Sequence, residues 1–82
     1  MKFRTVRVVD AVSLNREVGE NIRKARDSAK LSQQELGAHL GMTRASVSNI
    51  ERGSHAIMLS HVYNVALYLD IPISRLLPKV SQ

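Results

Sequence analysis

The side chains in this sequence able to do chemistry are three histidines, seven carboxylates, scattered hydroxyls and twelve cationic groups, with no cysteine among 82 residues. Without cysteine there is no thiol nucleophile, thiolate metal site or disulfide. His39, His55 and His61 lack metal-ligand spacing, and the His-x5-His pair straddles a loop and a helix start, so all three are read as surface or core residues. No P-loop, dinucleotide glycine pattern or Gly-x-Ser-x-Gly elbow is present. A domain of this size buries only about 60% of the surface its unfolded chain exposes, which leaves little room for an enclosed substrate cavity. The expectation is therefore a non-enzyme with no metal and no cofactor. What remains is a cationic excess of +5, and its natural partner is a polyanion, either nucleic acid or an acidic membrane surface.

The charge is unevenly placed. Residues 1–30 set Lys2, Arg4, Arg7, Arg16, Arg23, Lys24, Arg26 and Lys30 against Asp10, Glu17, Glu20 and Asp27, which leaves +4. Residues 31–60 balance Arg44 and Arg52 against Glu35 and Glu51. No apolar stretch approaches the roughly 18 residues of a membrane span, and the start MKFRTVRVVD lacks the apolar block of a signal peptide. A soluble, cytoplasmic protein with no membrane partner is expected.

The elements that must position these groups follow from periodicity and caps. Residues 3–9, FRTVRVV, are rich in β-branched types and predict an extended or β-strand N-terminal arm over 1–12. Leu14, Val18, Ile22, Ala25 and Ala29 share one helical face, predicting a first helix from about Asn15 to Ala29. Ser32 and Glu35 form a capping-box pattern that starts a second helix, and Gly41 stops it. Thr43 caps a third helix that Gly53 ends, with Val47 and Ile50 as its apolar positions. Leu59, Val62, Tyr63, Ala66 and Leu69 mark a fourth helix, in which Tyr63 is expected in the core, as is Met58 before it. Pro72 ends that helix, and Ile73 to Leu77 form one more short turn. The fold class is all-α, five short helices behind the arm, with one domain over 13–78 and a tail at 79–82.

Two short helices joined by a glycine-containing turn are the helix-turn-helix pattern, which spans residues 32–53 here. The stretch SQQELGAHLGMTRASVSNIERG resembles the helix-turn-helix of the lambda-repressor-like, XRE/Cro family of phage and bacterial transcriptional regulators. With Ile22-Arg23-Lys24-Ala25-Arg26 upstream and Leu59–Leu77 downstream, the resemblance covers roughly 60 residues. Gly37 lies where the family usually has alanine at the crossing of the two helices. Since glycine lowers helix propensity by about 1 kcal/mol, Gly37→Ala is expected to stabilise the fold.

The resemblance implies a set of site residues. Arg44, Ala45, Ser48 and Asn49 would contact bases: Arg suits guanine O6 and N7, Asn suits adenine N6 and N7, and Ala suits a thymine methyl. Ser32, Gln33, Thr43 and Ser46 would contact phosphates near helix N-termini, with Gln33 clamping the backbone. Arg26 and Glu51 would form a partly buried structural ion pair. The loop after the third helix usually supplies basic phosphate contacts in this family, yet it reads Ser54-His55-Ala56-Ile57, so only Arg52 and His55 could serve. Lys2, Arg4 and Arg7 on the arm, with Arg23 or Lys24, would then supply the missing contacts. The competing expectation is that the arm is a strand packing on the body or pairing with a second subunit.

The implied function is a DNA-binding transcriptional regulator, repressor or controller, that binds a palindromic operator in double-stranded DNA as a homodimer. Ile57, Ile71, Ile73, Leu76 and Leu77 would make the dimer contact or else close the core. The alternatives are an antitoxin that also autoregulates its operon, with a toxin or an anti-repressor as protein partner, and a protein-interaction module on the same fold.

Overall fold

The computed structural model describes residues 10–54 and 56–78 of the chain. The order is α1 (Ala11–Ser28), α2 (Gln33–Leu40), α3 (Arg44–Arg52) and α4 (Leu59–Leu69), followed by a single 3-10 turn at Ile73–Arg75. The described residues thus form four α-helices and no strand, and in place of the expected fifth helix a single 3-10 turn lies between Pro72 and Pro78. Residues 1–9 of the expected arm and the tail at 79–82 lie outside the described residues.

Helix α1 begins four residues earlier than its apolar spacing predicts. Asp10 is the reason: its carboxylate accepts from the Val12 amide at 2.9 Å and from the Ser13 hydroxyl at 2.7 Å, capping the helix before its first buried position. Ala11 and Val12 therefore belong to α1 rather than to the N-terminal segment. Hydrogen bonding, first from the Ser13 hydroxyl and then from the Val12 amide, holds the Asp10 carboxyl below its ordinary value.

The two middle helices follow their caps closely. Ser32 Oγ accepts from the Glu35 amide at 2.9 Å while Glu35 Oε1 accepts from the Ser32 amide at 2.8 Å, so both halves of the capping box are made. Gly41 and Gly53 end α2 and α3 at φ of 68° and 70°, a left-handed conformation that costs glycine nothing. The turn of the motif is therefore Gly41-Met42-Thr43.

The core is built by every helix: Val18, Ile22 and Ala25 of α1, Leu36 of α2, Val47 and Ile50 of α3, and Val62, Val65 and Ala66 of α4. Leu76, after the 3-10 turn, has no exposed surface and closes one end, while Asn21 Nδ2 donates to the Leu76 carbonyl at 3.2 Å. Leu76 is thus unavailable for a dimer contact, and Ile57, Ile71 and Ile73 are partly buried against the same core. Helix α4 buries Val62 and Ala66 and packs Leu69 on the core as expected, but two other positions of the expected face are exposed, Tyr63 at 50% and Leu59 at 65%, as is the preceding Met58 at 61%. Val65, which the spacing argument passed over, is buried in place of Tyr63.

The crossing of α2 and α3 overturns the expectation for Gly37. A Cβ at this position would lie 2.6 Å from the Met42 carbonyl oxygen and 3.3 Å from Val47 Cγ2. The helices here approach to a distance at which even alanine does not fit, and the obstructing atom belongs to the backbone of the turn. Gly19 plays the same part between α1 and α3, facing the carbonyls of Ile50 and Glu51.

Candidate nucleic-acid interface

Helix α3 divides its residues between two faces. Val47, Ile50 and Glu51 are buried, whereas Arg44, Ala45 and Arg52 are exposed and Ser48 and Asn49 half-buried. Positions 44, 45, 48, 49 and 52 form one stripe by helical geometry, on the side away from the core. The Thr43 hydroxyl accepts from the Ser46 amide at 3.1 Å and donates to Ser46 Oγ at 3.0 Å, so the start of this stripe is held by its own cap.

Its other end is held by charge. Arg26 of α1 and Glu51 of α3 meet in a two-pronged pair, with Nε donating to Oε2 at 2.6 Å and Nη2 to Oε1 at 3.0 Å. Arg26 Nη1 also donates to the Leu31 carbonyl at 2.6 Å and lies 3.1 Å from Asp27 Oδ1. The hydrogen bonds from Arg26 to Glu51 hold the guanidinium pKa above its ordinary value, so it stays charged. Such a pair tolerates burial because the guanidinium fork matches the carboxylate and the remaining donors find acceptors.

Gln33 joins this cluster, which sequence reasoning missed. Its amide Nε2 donates to Glu51 Oε1 at 3.0 Å, so the side chain is turned towards the ion pair while Gln33 stays half-buried. The first turn of α2 is thereby tied to the last turn of α3 through the same carboxylate that holds α1.

The remaining candidates have diverse surroundings. Ser32 is committed to its capping box. The Arg23 guanidinium bridges Glu20 at 3.0 Å and Asp27 at 3.1 Å, and hydrogen bonding to Glu20 raises its pKa. Lys24 is exposed. Arg52 Nη2 donates to Asn49 Oδ1 at 2.6 Å, a contact absent from the expected set although the i,i+3 spacing of the two residues signals it. Lys2, Arg4, Arg7 and His55 lie outside the described residues. Among the described residues no group of three His, Cys, Asp or Glu could hold a metal ion, and no helix is long and apolar enough to cross a membrane.

Comparison with known proteins places this geometry among relatives. A family model described as helix-turn-helix matches residues 22–76. The chain is 39% identical over 56 residues to the uncharacterized HTH-type transcriptional regulator y4dL of Sinorhizobium fredii, covering 68% of this chain and 29% of that one. Among solved structures it is similar to the restriction-modification controller protein C.AhdI from Aeromonas hydrophila, with a TM-score of 0.69, 31% identity and coverage of 74% of this chain and 92% of that one. It also shares a fold, at a TM-score of 0.77 and 22% identity, with hydroxypropylphosphonic acid epoxidase from S. wedmorenis, covering 85% of this chain and 37% of the epoxidase. The chain spans less than two thirds of the curated relatives it matches, from 29% of the y4dL regulator to 60% of a regulator from Rhodospirillum rubrum.

Proposed function

The chain belongs to the helix-turn-helix family, of the XRE/Cro type, and from that premise we propose that it is a sequence-specific DNA-binding transcriptional regulator. The observation that carries this reading is the two-faced α3, locked on one side by core packing and the Arg26–Glu51 pair and presenting Arg44, Ala45, Ser48 and Asn49 on the other. A helix held so firmly can enter a major groove about 12 Å wide in one register. Backbone amides at the starts of α2 and α3, beside Ser32 and Thr43, together with Gln33, Ser46, Arg52 and Lys24, would meet phosphates. Arg23 would join them only by giving up its two carboxylates. The contacts assigned to His55 and to the arm residues Lys2, Arg4 and Arg7 extend the same proposal.

The likeness to a restriction-modification controller supports a repressor or controller role, and we extend the proposal to a palindromic operator read by a cytoplasmic homodimer, because one small reader specifies only a few base pairs and genomic competition demands more. Two copies of α3 would then occupy successive major grooves about 34 Å apart. Leu59, Tyr63 and Leu67, spaced by four along α4 and each at least half exposed, are the apolar row such a dimer would cover. The same row favours a second reading, a protein-interaction module or antitoxin that holds a protein partner there.

Selection of bound sequences from random duplex DNA by the purified protein tests the first reading. Enrichment of an inverted repeat is expected. No enrichment at low salt would overturn it in favour of the second.

A further inference from the structure

Asn49 and Arg52 lie on the α3 stripe that faces away from the core, and their side chains are joined by the 2.6 Å bond from Arg52 Nη2 to Asn49 Oδ1. A carboxamide has one accepting and one donating end, so fixing which end points where fixes what it can read. The bond is charge-assisted, roughly twice as strong as one between neutral groups. The helix backbone at this point is held too: the Asn49 carbonyl accepts from the Ser54 amide and the Ser54 hydroxyl, each at 3.1 Å.

We infer that Arg52 is a specificity-determining positioning residue: it holds the Asn49 carbonyl so that the amide nitrogen faces the base, which must then offer an acceptor. The inference rests on the reading of α3 as the base-reading helix. Purine N7, guanine O6 and thymine O4 satisfy an amide donor, whereas cytosine offers only its N4 amine in the major groove and is refused. A cation at the end of the helix that served phosphate alone would act differently, adding affinity on every sequence and steepening the salt dependence.

The experiment uses the operator enriched by the wild-type protein and the base pair whose preference Asn49→Ala abolishes. Affinities are measured for the four versions of that site with the wild type, Arg52→Ala, Asn49→Ala and the double variant, their folding checked by helical circular dichroism. The wild type should discriminate against a contacted cytosine by roughly tenfold or more. Arg52→Ala should relax that discrimination, most of all at cytosine, because a freed carboxamide can turn its carbonyl to the N4 amine. In the Asn49→Ala background the same substitution should shift all four sites equally. Equal loss on all four sites when Arg52→Ala is made beside an intact Asn49, with the salt slope reduced by about one, would overturn the inference and leave Arg52 a phosphate contact alone. A preference that Asn49→Ala does not alter at any position would overturn it as well. Failure of the wild type to enrich any sequence is a separate result, and it removes the reading of α3 itself.

Discussion

A guanidinium and a carboxylate taken out of water together are stable only while both remain, and Arg26 and Glu51 are in that situation. Removing either partner strands the other, at a cost of about 3–5 kcal/mol. Arg26→Ala and Glu51→Ala should each lower stability by that order in denaturant unfolding. The double variant should lose far less than their sum, and additive losses would contradict the pairing. Gly37→Ala is expected to destabilise, since crowding of about 1–3 kcal/mol against a backbone carbonyl outweighs the propensity gain of about 1 kcal/mol. A raised thermal midpoint would show that the turn yields. These two sites differ in what could be read beforehand. The pairing of Arg26 with Glu51 follows from family resemblance. The obstruction at Gly37 and the inward turn of Gln33 depend on how closely two elements approach, a distance that no local pattern encodes.

At the scale of elements, the signals that could be read were those carried within one turn of chain. Ser32 with Glu35, Thr43, Gly41 and Gly53 placed both middle helices because a cap is satisfied by neighbours. The β-branched run of residues 3–9 places Asp10 within the expected arm over 1–12, which hides its role as the cap of α1. In α4 apolar residues occur around most of the helix, so periodicity alone did not separate buried Val65 from exposed Tyr63 and Leu59. Gly19 is the kind of lone glycine inside a helical pattern that often marks a close packing contact, and it does so here. The capping box also sets a pH dependence. The Glu35 carboxyl is held below its ordinary value, first by the Ser32 amide and then by the Ser32 hydroxyl. A carboxyl depressed on folding contributes its full stabilisation above its unfolded value, about 4.3, and loses it as pH falls through the folded value. Glu35→Gln should therefore melt below the wild type at pH 6, with the gap closing towards pH 3. A gap independent of pH would mean that the charge of Glu35 contributes nothing.

At the scale of the whole molecule, charge and recognition are separated along the chain. The first thirty residues carry +4, while residues 31–60, which include α2 and α3, are neutral overall. In the proposed complex, long-range attraction comes mainly from the N-terminal third, and discrimination comes from a helix with only two cations on its reading face, Arg44 and Arg52. The two terms respond to different variables, since non-specific attraction falls with salt and base contacts respond to sequence. The most direct test compares affinity for the enriched inverted repeat with affinity for shuffled DNA at one fixed salt concentration, for the wild type and for Arg44→Ala. A wild-type ratio of about 1,000 or more is expected. In Arg44→Ala the ratio should be lower by roughly tenfold or more, with affinity for shuffled DNA little changed. A wild-type ratio near one, or equal losses on both DNAs in the variant, would contradict base reading by α3.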